Sequence, residues 1–126
     1  MREQPIHVAI VDDDASVRRA LQRVLKVLEI DAEGFASGED FLASLHRRRP
    51  DCVVLDLHMP GFGGLEVQRC IAQMSGDLPV VIVTGHHEPG MRERCLSAGA
   101  SDYLRKPIDG PLLRQAIEAA VAGARR

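Results

Sequence analysis

A short apolar run followed by a segment with helical spacing occurs five times along this chain, and that alternation leaves few folds open to it. Ile6 to Val11 reads I-H-V-A-I-V between Pro5 and a group of acids, the pattern of a strand buried on both faces. Asp31 to Phe35 is a weaker second run, Cys52 to Leu55 a third that ends at Asp56, Val80 to Val83 a β-branched fourth that ends at Thr84, and Asp102 to Leu104 a short fifth. Between and after them, apolar residues recur at helical spacing. Val17, Leu21, Val24, Leu25 and Leu28 stripe a first amphipathic helix, and Ser37 with Asp40 caps a second that carries Phe41, Leu42 and Leu45. Leu65, Val67, Cys70, Ile71 and Met74 mark a third, Met91, Cys95, Leu96 and Ala98 a weaker fourth, and Leu112, Leu113, Ala116, Ile117, Ala120 and Val121 a fifth. Short connections and strict alternation predict the α/β class: a doubly wound, five-stranded parallel sheet covered by helices on both faces. Residues 1–126 are read as a single domain.

In such a sheet ligands bind beyond the carboxyl ends of the strands, where the strand order reverses. The residues at those ends are chemically unusual. Asp12 and Asp13 follow the first strand, Asp56 ends the third, Thr84 the fourth, and Lys106 lies just past the fifth. If the strand order is 2-1-3-4-5, the first and third strands are neighbours and three carboxylates crowd together. Their mutual repulsion favours a hard divalent cation, and Mg²⁺ suits the set because it takes one or two carboxylates and keeps water positions open for a phosphoryl oxygen. Lys106 adds a compact positive charge and Thr84 a hydroxyl donor, both suited to an anionic group in transfer. Asp56, central in the set, is the natural nucleophile for an aspartyl phosphate. Taken singly, each residue has a plainer reading: Asp at a strand end often caps a helix, as Asp14 before Ala15 and Ser16 would.

Charge and composition exclude other classes. With 16 basic against 18 acidic side chains, nothing in the global charge draws the chain to nucleic acid or a membrane, and 3% aromatic content offers almost no stacking surface. Cys52, Cys70 and Cys95 are odd in number and sit in apolar segments, which suits buried reduced thiols. Neither a signal peptide nor an apolar stretch long enough to span a bilayer is apparent, so a cytoplasmic location is expected. Arg47, Arg48 and Arg49 are read as a solvated helix end favoured by the helix dipole, and His7 as structural. The pair His86 and His87 lacks the spacing of a zinc site.

V-D-D at 11–13, D-L-H-M-P-G at 56–61, V-T-G at 83–85 and Y-L-R-K-P at 103–107 together resemble the receiver domain of two-component response regulators, over nearly the whole chain. The resemblance implies a flavodoxin-like (βα)5 fold in which Asp56 accepts a phosphoryl group from a histidine kinase or phosphotransfer protein. It makes Asp12, Asp13, Asp56 and the backbone carbonyl of His58 the Mg²⁺ shell, Thr84 and Lys106 the phosphoryl-holding pair, and the Lys106–Pro107 peptide cis. The domain then catalyses only its own phosphorylation and dephosphorylation and is no enzyme in the turnover sense. The G-H turn after Thr84 and A-G-A-S-D-Y before Lys106 are most similar to receivers attached to helix-turn-helix output domains, which implies a transcriptional output.

By the same resemblance, Thr84 moves inward to the phosphoryl group and Tyr103 follows, altering the surface of the fourth helix, fifth strand and fifth helix, where a homodimer is expected. His87, Glu88, Arg92, Glu93 and Arg94 make that region a mixed polar face suited to reversible contact. His58 and His86, each two residues beyond a site residue, are expected to tune the lifetime of the phosphorylated state. No recognition helix follows the fifth helix, so the domain either acts alone or belongs to a longer regulator. Two rivals remain at this level: an aspartate-nucleophile phosphatase built on Asp12 and Asp14, similar to the haloacid dehalogenase class but without its usual G-T, and an interaction module that is never phosphorylated.

Overall fold

The computed structural model describes residues 5–74 and 76–124. Five strands and five helices alternate: β1 (His7–Val11), α1 (Ala15–Val27), β2 (Asp31–Phe35), α2 (Gly38–Ser44), β3 (Cys52–Asp56), α3 (Gly64–Met74), β4 (Val80–Thr84), α4 (Met91–Ser97), β5 (Asp102–Arg105) and α5 (Gly110–Ala124). All pairings are parallel and the strand order is β2-β1-β3-β4-β5, as the sequence predicts. The boundaries differ by little: β1 starts at His7 rather than Ile6, and β5 runs on through Arg105.

The unbroken apolar runs have a simple cause. Side chains alternate across a strand, and here both faces of the sheet are covered. Val8, Ile10, Val54, Val81 and Val83 pack on one side against Leu21 and Leu25 of α1 and Leu113, Ile117 and Val121 of α5. Val11, Val53, Leu55 and Ile82 pack on the other against Phe41 of α2, Val67 and Ile71 of α3 and Cys95 of α4. Cys52 and Cys95 are free, buried thiols, and burial pushes Cys52 up to about 12, so it stays protonated and inert.

Helix starts follow their caps. The Asp14 carboxylate accepts hydrogen bonds from the Ser16 and Val17 amides, and Ser37 accepts one from the Asp40 amide, so each cap satisfies amides that the helix itself leaves without a partner. By contrast α4 is only seven residues long, and its N-cap, Gly90 (φ 83°), has no side chain to bond the first amides. At Gly64 the start of α3 comes so close to β3 that a Cβ would lie 2.7 Å from the Asp56 carbonyl oxygen and 2.8 Å from Leu57 Cα. Glycine there lets the helix press against the end of the strand that bears Asp56.

The three arginines expected to be a solvated helix end lie just past α2 and are exposed, as expected, and each also forms an ion pair. Arg47 reaches Glu33 at 3.0 Å, Arg48 reaches Asp31 at 3.6 Å and Arg49 reaches Asp77 at 2.7 Å. Chain folding brings β2 and the segment before β4 beside them, a proximity that local spacing does not encode. His7 is structural, as expected: its Nδ1 donates to Asp31 at 2.7 Å and its amide to Asp51 at 2.9 Å.

Candidate functional site

β1 and β3 are adjacent, in register from Val8 with Cys52 to Val11 with Leu55, so the residues just beyond them share one edge. There one oxygen each from Asp12, Asp13 and Asp56 lies within 4.8 Å of the others. Asp12 and Asp56 are buried, 1% and 5% exposed, while Asp13 faces solvent. Lys106 Nζ lies 3.0 Å from Asp12 Oδ2 and 3.6 Å from Asp56 Oδ1, a single cation between two buried anions.

Backbone groups hold this arrangement. The Asp14 amide donates to Asp12 Oδ1 at 2.9 Å, and Arg18 Nη1 donates to the Asp12 carbonyl at 2.7 Å. Arg18 is legible in the sequence only as a polar position on α1; its reach back over the first turn depends on how the helix leaves β1. The His58 amide lies 3.4 Å from Asp56 Oδ1, and the Lys106 amide donates to the Thr84 carbonyl at 2.7 Å, fixing the β5 exit against β4. The peptide between Lys106 and Pro107 is cis, as the resemblance implies.

The electrostatics are those of a crowded site. Burial, and then the neighbouring Asp12 charge, raise the Asp56 pKa to about 6, against the pull of Lys106 and the His58 amide. For Lys106, burial is the largest single influence and acts downward. The hydrogen bond to Asp12 and the charges of Asp56 and Asp12 together outweigh it, and its pKa lies above the ordinary lysine value. Three acids against one lysine leave negative charge uncompensated. Hard oxygen donors this close together, two buried and one open to solvent, fit Mg²⁺: the set can supply one or two carboxylates and leave the remaining positions to water.

Thr84 is buried at the end of β4, but its hydroxyl is turned into its own loop. It donates to the His86 carbonyl at 3.2 Å and accepts from the His86 amide at 3.1 Å. His58 Nε2 donates to the same His86 carbonyl at 2.9 Å, and the two imidazoles meet edge to face with centroids 5.1 Å apart. His58 and His86 thus join the loops that follow β3 and β4, with both imidazoles exposed. Tyr103 is buried at 5% exposure, with its hydroxyl 2.8 Å from His87 Nδ1. The sequence places His87 in a polar contact face, and no signal there separates it from its exposed neighbours; only the folded loop brings it to Tyr103.

A family model of the response regulator receiver domain matches residues 8–118. The chain belongs to the response regulator receiver family. Response regulator MprA of Mycobacterium sp. (strain KMS) is 40% identical to this receiver over 104 residues, which cover 82% of the chain and 45% of that protein. Response regulator protein TodT of Pseudomonas putida is 32% identical over 121 residues, 96% of the chain and 53% of that protein. The receiver therefore spans about half the length of these relatives. Among solved structures, a response regulator receiver protein from Burkholderia phymatum is 44% identical with a TM-score of 0.83, covering 94% of this chain and 96% of that one. The receiver is thus a two-component signalling domain of the flavodoxin-like fold, a family of regulators rather than turnover enzymes. No helix among the described residues is long and apolar enough to cross a membrane.

Proposed function

We propose that this receiver is phosphorylated on Asp56 by a sensor histidine kinase or phosphotransfer protein, and that it passes the change to an output through Thr84 and Tyr103. The observation that carries this reading is the placement of Lys106 between buried Asp12 and Asp56, with Asp13 completing a triad of acids at one sheet edge. An Asp56 oxygen forms a bond to phosphorus as the bond from phosphorus to the donor imidazole nitrogen breaks, and that nitrogen keeps the electron pair. Lys106 then binds a phosphoryl oxygen. The Thr84 hydroxyl binds a second, exchanging its bond to the His86 carbonyl for a charge-assisted one. Asp12, Asp13, Asp56 and the His58 carbonyl would hold Mg²⁺, which supplies positive charge against that building up on the transferring group. His58 and His86, each two residues beyond a site residue and in contact with each other, tune access of the hydrolytic water and so the lifetime of the acyl phosphate.

The test is incubation with Mg²⁺ and acetyl phosphate, followed by intact mass. One added phosphoryl group that disappears in Asp56→Asn is the expected result. Loss in Asp12→Asn with Asp56→Asn unaffected would establish the phosphatase instead, and no uptake at all the unphosphorylated module. Equal dephosphorylation rates in the parent, His58→Ala and His86→Ala would remove the histidines from the mechanism.

The wider assignment follows from the length of the relatives and the resemblance to receivers attached to helix-turn-helix domains. Residues 1–126 act as one receiver unit of a cytoplasmic regulator whose output is transcriptional. The surface of α4, β5 and α5 pairs two copies once Asp56 is phosphorylated. Sedimentation of the protein with and without beryllofluoride measures that pairing, and an unchanged monomer would exclude it.

A further inference from the structure

Tyr103 is the single tyrosine of a chain without tryptophan. Its ring belongs to the apolar cluster beneath α3 and α4, while its hydroxyl meets the imidazole of His87, centroids 5.7 Å apart and planes at 65°. His87 is itself an exposed residue of the loop between β4 and α4. A phenol drawn into a core needs a partner for its hydroxyl, since leaving the group unpaired is costly. Burial raises the Tyr103 pKa and keeps its proton in place, and the protonated hydroxyl pairs with His87 Nδ1 at 2.8 Å, as donor or as acceptor according to the imidazole tautomer.

The next residue back connects this pair to the site. His86, adjacent to His87 in the chain, is held at both its amide and its carbonyl by the Thr84 hydroxyl. A continuous set of bonds therefore runs from Thr84 through the His86 backbone to the His87 side chain and the Tyr103 hydroxyl. The Thr84 hydroxyl has one proton. Given to a phosphoryl oxygen, it leaves the His86 carbonyl with His58 alone, so the segment that aims His87 loses one of its two ties to Thr84. Tyr103 is already buried while Thr84 still faces its loop, so the buried position of the ring does not require Thr84 to have moved.

We propose that His87 is a positioning residue that latches Tyr103 in its buried place through Nδ1, and that Thr84 acts on Tyr103 through the His86–His87 backbone and this latch. The first half is independent of phosphorylation; the second rests on the proposed function. A coupling of this kind has physical content because each link is a contact with two arrangements.

The lone tyrosine makes the test direct, because all tyrosine emission comes from Tyr103. Acrylamide quenching without a phosphoryl donor reads its accessibility. Loss of one hydrogen bond in His87→Ala should raise the released fraction of Tyr103 about fivefold. His87→Asn, which places an amide where Nδ1 was, should restore protection, and His87→Gln should not. Equal quenching in the parent and His87→Ala overturns the latch, and rescue by Gln as full as by Asn overturns its assignment to Nδ1. As a check that does not depend on changing His87, Tyr103→Phe should move the ¹⁵N resonance of His87 Nδ1; an unmoved resonance counts against the contact.

The coupling is read by adding Mg²⁺ and acetyl phosphate, with intact mass reporting uptake in the same samples. Quenching should change on phosphorylation of the parent and stay constant in phosphorylated His87→Ala. A response of equal size in that variant overturns the route through His87. Absence of uptake in the parent overturns the proposed function and with it the coupling, while the donor-free result for the latch stands.

Discussion

The two edges of the same sheet treat charge in opposite ways. At the amino edge each acid meets a cation or an amide: Asp31 meets His7 at 2.7 Å and Arg48 at 3.6 Å, Asp77 meets Arg49 at 2.7 Å, and Asp51 accepts the His7 amide. At the carboxyl edge, Asp12, Asp13 and Asp56 converge on Lys106, the one cation that pairs with this group among the described residues. Both edges close the same parallel sheet, so the fold does not demand the surplus of negative charge. The surplus is a local cost that makes sense where a cation and a phosphoryl group are to be received.

Breaking the loaded edge should have the largest effect. Asp12→Asn removes a buried oxygen donor next to Lys106, and Mg²⁺ affinity measured by isothermal titration should fall about 100-fold or more. A fall of less than about threefold would take Asp12 out of the metal site. Smaller, and opposite in sign, is the effect of Asp56→Asn on stability in the absence of divalent ions. The folded pKa of Asp56 lies above its unfolded value, so the folded state holds the proton more tightly. The penalty for ionising it is absent below about pH 4 and grows until the pH passes about 6. Urea denaturation at pH 7 should therefore show the variant more stable by about 1–2 kcal/mol, with water at the open side of the site screening the rest. The advantage should vanish near pH 4; a variant less stable than the parent at pH 7 would show that Asp56 is adequately compensated.

The matched edge should respond in the ordinary direction. Asp31→Asn weakens the carboxylate bond to His7 and should cost about 1 kcal/mol while leaving phosphoryl uptake unchanged. Reduced uptake in that variant would mean that the two edges communicate. Least of all, Arg47→Ala should change stability by no more than about 0.5 kcal/mol, because its pair with Glu33 is largely solvated.

Much of this contrast is open to reading in the chain. The strand ends name Asp12, Asp13, Asp56, Thr84 and Lys106, because apolar runs of this length stop where the sheet stops and the topology then aligns their ends. The pairing of Arg47, Arg48 and Arg49 is not legible, since their acids lie on other elements. The same holds for Arg18 on the Asp12 carbonyl and for His87 on Tyr103. Nor does the sequence say which way the Thr84 hydroxyl points.

By itself, then, the sequence determined the order of elements, the parallel sheet and the group of residues delivered to its carboxyl edge. Hydrophobic periodicity and strand length are local properties, and they suffice for that. Only the tertiary structure decided that Lys106 bonds Asp12 more closely than Asp56, that the Thr84 hydroxyl bonds His86, and that His87 meets the Tyr103 hydroxyl. Those choices depend on distances of a few tenths of an ångström between residues far apart in the chain, and a hydrogen bond is made or lost over that range.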